Sequence, residues 1–213
     1  KFVNWKDSTV LVTGAGGFIG SHLVESLASQ GARVRAFVRY NSRADMGLLK
    51  HISNDYAAKI EYVMGDLRDA SAVLSAMRDC AVVFHLGALI AIPYSYLHPR
   101  EVIETNVIGT LNILEAAKLT KPTRIIHTST SEVYGKNPKE RWTEEDDLVF
   151  GPTSRPRWAY GCSKAIDEFL ASHRKPRTCT VAASSLVIQA ARFLDAPALV
   201  WPPLPDLVGP CVP

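Results

Sequence analysis

Apolar residues in the first 130 positions fall into two alternating rhythms. Short, nearly unbroken runs have the length of buried strands: Thr9 to Val12, Arg33 to Val38, and the segments KIEYVMGD, AVVFHLGA and RIIHTST. Between them apolar positions recur at helical spacing, as with Ile19, Leu23 and Leu27, which share one face. Gly31 is a natural stop for that helix, DASAVLSAMRD reads as a second, and a long third is expected from roughly Pro99 to Leu119. Strands alternating with helices predict a parallel sheet covered on both faces, a doubly wound α/β fold whose ligands sit at the carboxyl ends of the strands.

The pattern dissolves after Lys136 into a polar, Pro-containing stretch with the acidic run Glu144 to Asp147, read as a solvated loop. A helix resumes near Tyr160 and runs through KAIDEFLA. Beyond His173 the character changes again, since seven of the chain's 13 prolines fall in residues 176–213. That tail can form neither a helix nor a central strand over most of its length, although Thr180 to Ile188 could supply an edge strand. The division expected is a domain over 1–173 and an atypical Pro-rich tail over 174–213.

Composition narrows the function classes. A formal charge of +3, with scattered Lys and Arg, gives no footprint for a nucleic acid. No run approaches the ~20 apolar residues of a membrane span, and neither a signal peptide nor a metal-ligand cluster is visible. Cys80, Cys162, Cys179 and Cys211 lie far apart, so they read as packing thiols of a reducing compartment, and a cytoplasmic location is expected.

Three segments carry candidate chemistry. TGAGGFIG places Gly14, Gly17 and Gly20 between a strand and a helix that opens with Phe18 and Ile19, the context in which backbone approaches a pyrophosphate at a helix N-terminus. The second strand ends in RYNSR instead of an acid that would bind ribose hydroxyls. Arg39 and Arg43, with Asn41 and Ser42 between them, therefore keep both NAD and NADP open, since arginine pairs with a 2′-phosphate. Asp66 and Leu67 after the third strand are placed to edge an adenine, and Leu86, Gly87 and Ala88 after the fourth to line the dinucleotide. His85 and His127 read as core histidines at strand ends. YGCSK sets Tyr160 and Lys164 at i and i+4 on one helix face, where an ammonium can stabilise a phenolate and make a base. TSTSE, at the end of the fifth strand, supplies the hydroxyl of Thr130 and the carboxylate of Glu132.

Through TGAGGFIG, GDL, HLGAL, ETNVIGTLNILEAA, STSEVYG and YGCSK, residues 8–172 resemble the extended short-chain dehydrogenase/reductase family, in particular its nucleotide-sugar epimerases, dehydratases and decarboxylases. The resemblance implies a Rossmann-like domain with NAD or NADP as cofactor, a nucleotide-sugar substrate and a homodimer as a compatible assembly. It also assigns roles. Thr130 bonds the sugar 4-oxygen, Tyr160 takes the 4-hydroxyl proton on the way to a 4-keto intermediate, and Lys164 orients the nicotinamide ribose and tunes Tyr160. Asn106 holds the neighbourhood together. Glu132 removes a proton made labile by the ketone, as in 4,6-dehydratases. Ser131 stands where many glucose-type dehydratases have Asp, and STSE is similar to GDP-mannose dehydratases and UDP-glucuronate decarboxylases. Tyr94, Ser95 and Tyr96 lie where the family often contacts the sugar, although a local turn around Pro93 explains them equally. The C-terminal substrate domain of the family is expected to be missing or vestigial. A dehydratase or epimerase type, a UDP-glucuronate decarboxylase and a dinucleotide-binding module without turnover are the three functions compatible with these residues.

Overall fold

Strand β1 (Thr9–Thr13) alternates its side chains between two cores, and this places it at the centre of the sheet. Val10 and Val12 pack with Leu23, Val24 and Leu27 of helix α1 (Phe18–Ser29) on one face. Leu11 packs on the other with Val73 and Met77 of α2 (Ala70–Met77) and Ile113 of α5 (Gly109–Thr120). All of these are buried, as a parallel sheet covered on both faces requires. The computed structural model describes residues 5–173 and 179–182 of the chain.

The sheet has six parallel strands in the order β3-β2-β1-β4-β5-β6. Besides β1 these are β2 (Arg33–Arg39), β3 (Ile60–Gly65), β4 (Val82–His85), β5 (Arg124–Thr128) and β6 (Cys179–Ala182). Thr13 is level with Phe37 of β2 on one side and with His85 of β4 on the other, and His85 with His127 of β5. The doubly wound expectation therefore holds. The chain leaves β1 toward one edge and returns to build the other, so β1 and β4 meet at the switch point, and their carboxyl ends frame a crevice. The edge strand expected in Thr180 to Ile188 is present in part as β6, paired with β5; the rest of the Pro-rich tail lies outside the described residues.

Two segments differ from the sequence expectation. The turn around Pro93 is a short helix, α3 (Ile92–Leu97), with proline in its first turn, where a missing N–H costs nothing. The long helix is three consecutive pieces: α4 (Pro99–Ile103), a π-helical turn over Glu104–Ile108, and α5. Periodicity fixes neither feature, because a π turn adds one residue without changing which residues are apolar. The helix expected near Tyr160 is α6 (Trp158–His173).

Candidate active site

The glycine-rich turn is shaped by contacts that only glycine permits. Gly14 has φ +68°, and a Cβ there would lie 2.8–2.9 Å from the backbone of Leu86 and Gly87. A Cβ at Gly20 would lie 2.2 Å from the Gly14 carbonyl, so the first turn of α1 seats directly on the loop. Gly17 is the N-cap of α1, with no side chain capping it and no acid in the first turn. The N–H groups and positive end of the helix dipole are thereby left to a ligand, as an anion site needs. Thr13 braces the neighbouring wall, its Oγ1 accepting from Gly87 N at 3.0 Å.

A cavity of about 690 Å³ runs from this turn to the carboxyl end of β5 and the start of α6. It is lined by Gly14, Gly17, Phe18, Ile19 and Gly20 at one end, by Arg39 and Asn41 beyond β2, and by Leu86, Gly87 and Ala88 along the floor. Thr130, Tyr160 and Lys164 line its far end. Its size is that of a small-molecule site. Asp66 and Leu67 line a smaller recess of about 130 Å³ that shares Gly14, Arg39, Gly87 and Ala88 with the main cavity. Most of the residues singled out in the sequence thus converge from five strand ends.

Others stand apart. Ser42 and Arg43 do not line the cavity; the loop is folded instead by Asn41, whose Oδ1 accepts from the backbone N–H groups of Arg43 and Asp45 at 3.0 Å each. This brings in a wall the sequence reading missed, Asp45, Met46 and Gly47, pressed against Gly16. Tyr94, Ser95 and Tyr96 sit on α3 and do not line the cavity either. Ser95 is buried and donates to the Ile92 carbonyl at 2.6 Å. The Tyr94 hydroxyl donates to Glu101, which also holds Arg39 at 2.7 Å. Asp66 is engaged by Arg68 at 2.6 Å, and this partner holds its carboxyl below the usual carboxylate range.

At the far end, Thr130 caps a short 3-10 turn over Ser131–Tyr134, its hydroxyl accepting from Glu132 N at 3.3 Å. Tyr160 is 7% exposed. Burial pushes its pKa above the ordinary value, a hydrogen bond with Thr130 opposes that, and the charges of Asp167 and Glu132 add to it. The lowering expected from Lys164 is not seen. Lys164 Nζ instead donates to Asp167 Oδ2 at 2.8 Å and lies 3.2 Å from His127 Nε2. Glu132 does not line the main cavity; it lies 3.5 Å from Arg157, a partner the sequence reading did not single out.

Buried polar residues support this arrangement. Asn106, in the π turn, accepts from Leu89 N at 2.8 Å and donates to the Leu89 carbonyl at 3.1 Å and to Ser163 Oγ at 3.2 Å. Ser163 in turn donates to the Tyr160 carbonyl at 2.7 Å, so the amide ties the loop after β4 to the helix that carries Tyr160. Ser129 donates to Glu168 of α6. His85 lies between Thr13 at 2.8 Å and Thr110 at 3.0 Å, and burial lowers its pKa to about 3. Both histidines are buried, as expected of core residues. Among the described residues no group of His, Cys, Asp and Glu is placed to hold a metal ion, and no helix is long and apolar enough to cross a membrane.

Comparison with known proteins agrees with this geometry. Residues 11–185 match the family described as GDP-mannose 4,6 dehydratase. A UDP-N-acetyl-alpha-D-glucosaminuronate decarboxylase from Bacillus cytotoxicus is 36% identical over 160 residues, 75% of this chain and 48% of the relative. The UDP-N-acetylglucosamine 4-epimerase of Methanobrevibacter ruminantium, solved with UDP-N-acetylmuramic acid, superposes with a TM-score of 0.70 at 29% identity, covering 84% of this chain and 54% of the other. MoeE5, solved with UDP-glucuronic acid and NAD, superposes with a TM-score of 0.64 at 32% identity, covering 83% and 53%. The chain thus spans about half the length of the relatives it matches.

Proposed function

The chain belongs to the GDP-mannose 4,6 dehydratase family, and on that premise we propose that it is the NAD(P)-binding, catalytic half of a nucleotide-sugar enzyme of the dehydratase or epimerase type. The observation that carries the reading is the single cavity joining the uncapped N-terminus of α1 to Thr130, Tyr160 and Lys164. Its glycine turn fits a dinucleotide, since Gly17 faces the cavity without a side chain and the helix dipole there favours a pyrophosphate. A nicotinamide bound in that cavity supplies the hydride acceptor for carbon 4 of the sugar.

The chain's own groups do the rest. Thr130 and Tyr160, side by side on the cavity wall, receive the sugar 4-oxygen, and Tyr160 in its phenolate form takes the proton of the 4-hydroxyl. Lys164, one helical turn from Tyr160, supplies positive charge at the same wall. Glu132, with its carboxylate beside Arg157, removes the proton next to the 4-ketone, which leads to loss of a hydroxyl in a dehydratase. A second reading, decarboxylation of a UDP-uronic acid by the same residues, is favoured by the 36% identity to a decarboxylase of that kind.

Both readings are tested by incubating the chain with NAD or NADP and UDP-, GDP- and dTDP-sugars, UDP-glucuronate included, and following products by mass spectrometry. A 4-keto-6-deoxy sugar or a 4-epimer is expected under the first reading. Carbon dioxide and a pentose product would move the assignment to the second, and cofactor binding without any product would leave a dinucleotide-binding module.

A further inference from the structure

Tyr160, Lys164 and Asp167 stand at i, i+4 and i+7 of α6 and so form one stripe along the helix. Lys164 is at the middle, with a phenol one turn before it and a carboxylate one turn after. In the structure the carboxylate has the ammonium. Lys164 Nζ donates to Asp167 Oδ2 at 2.8 Å, while Tyr160 lines the cavity wall beside Thr130. Asp167 is fully buried and Lys164 is 3% exposed, so water does not weaken their attraction.

We propose that Asp167 is a positioning residue of this site: by holding Lys164 on the core side of α6 it withholds the ammonium from Tyr160 and sets the pH range in which Tyr160 is ionised and able to serve as a base. The surroundings of Asp167 give the pair its force. On α6 it faces Lys164 and feels the charge of Glu168. From β5, His127 Nε2 lies 4.0 Å from it, and His85 of β4 lies behind, the two rings 5.3 Å apart. Burial keeps both imidazoles neutral, so among the described residues Lys164 is the one cation that meets this carboxylate. Lys164 also lines the cavity, so its side chain borders both the core and the ligand site. Loss of the negative charge on Asp167 frees the ammonium for Tyr160, as well as removing a charge that directly disfavours the phenolate.

The inference rests on Tyr160 being the base of the site, yet its test needs no turnover, so absence of enzyme activity and failure of this idea are separate results. The ionisation of Tyr160 is followed in the free 213-residue chain by tyrosinate ultraviolet absorbance, taken as the difference from Tyr160→Phe. Asp167→Asn is expected to move that titration to lower pH by about one unit or more, a tenfold rise in phenolate at a given pH. The same change made in a Lys164→Met background is expected to give a clearly smaller shift, because Asp167 acts chiefly through the lysine. An unchanged titration in folded Asp167→Asn, or an equal shift in both backgrounds, overturns the proposal. If Asp167→Asn does not fold, nitrogen-labelled lysine NMR of the unmodified chain answers the question. The Lys164 signal is expected to move with the titration of Asp167, which burial raises from 3.8 toward about 6. A Lys164 signal indifferent to pH throughout the acid range overturns it equally.

Discussion

Arg39, at the end of β2 and on the wall of the cavity, forms an ion pair with Glu101 of α4 at 2.7 Å. The guanidinium that would meet a 2′-phosphate is therefore already shared with a carboxylate, which also accepts from Tyr94. Glu101→Gln is expected to raise affinity for NADP relative to NAD severalfold, and Arg39→Ala to lower that ratio. Arg43→Ala, outside the cavity wall, is expected to leave it unchanged. Titrations of both cofactors against each variant check this, and a change in Arg43→Ala as large as in Arg39→Ala would refute it.

Two glycines of one turn are expected to fail in different ways. Gly14→Val must place a branched side chain at φ +68° and 2.8 Å from Gly87 N, so it lowers stability by about 1–3 kcal/mol from the backbone alone, with the clash added. Gly17→Val has an ordinary φ, and its Cβ meets only the Gly14 carbonyl, at 3.3 Å. It is expected to fold and to lose cofactor binding, because the side chain occupies the approach to the helix N-terminus. Thermal unfolding and cofactor titration, run on both variants, separate the two outcomes.

For any form with turnover, Tyr160→Phe and Thr130→Ala are expected to depress oxidation at carbon 4 by about 10²- to 10⁴-fold. Glu132→Gln is expected to allow the 4-keto sugar to form while blocking the elimination after it. Trapping of the ketone by borodeuteride and mass spectrometry distinguishes the steps; an intact elimination rate in Glu132→Gln would remove Glu132 as the base of that step, and a wild-type chain that forms the ketone without eliminating belongs on the epimerase branch.

Stability should fall in acid. His85 is held neutral, with its pKa lowered from 6.5 to about 3, and His127 is lowered well below 6.5. The unfolded chain binds protons at both positions below pH 6.5 while the folded one does not, so these contributions are present near neutrality and shrink as pH falls. Asp167, raised from 3.8 to about 6, works in the opposite direction between those values but with one proton against two. The net expectation is a denaturation midpoint that declines from pH 6.5 toward pH 4 and declines less steeply in His85→Gln. An unchanged slope in that variant would remove His85 from the explanation.

Much of this was readable from residue order alone. The strand and helix rhythms locate β1 to β5, and the glycine spacing locates the ligand end of the sheet, because both depend on local pattern. Tertiary pairing was not readable. Nothing in the spacing of Asp45 shows that Asn41 folds its loop onto Gly16, and nothing in PRW shows that Arg157 reaches Glu132. Lys164 was legible as a cation beside Tyr160, but its choice of Asp167 over the phenol depends on which side of α6 is dry. The position of Tyr94 and Ser95 was not readable either, since a helix with proline in its first turn fixes where they sit.

The π turn over Glu104–Ile108 has one more effect, on helical phase. One residue extra in a turn rotates everything after it by about 100° relative to a continuous α-helix. The rod that begins at Pro99 therefore presents one azimuth before the turn and another after it. Val102 is buried in the first part, and Ile113, Ala116 and Ala117 face the sheet in the second. Deleting a residue in this turn would leave composition and apolar content nearly unchanged. It would still force a choice between the seating of α5 on the sheet and the aim of Asn106 at Leu89 and Ser163, two alignments that a single uninterrupted helix of this sequence could not satisfy together.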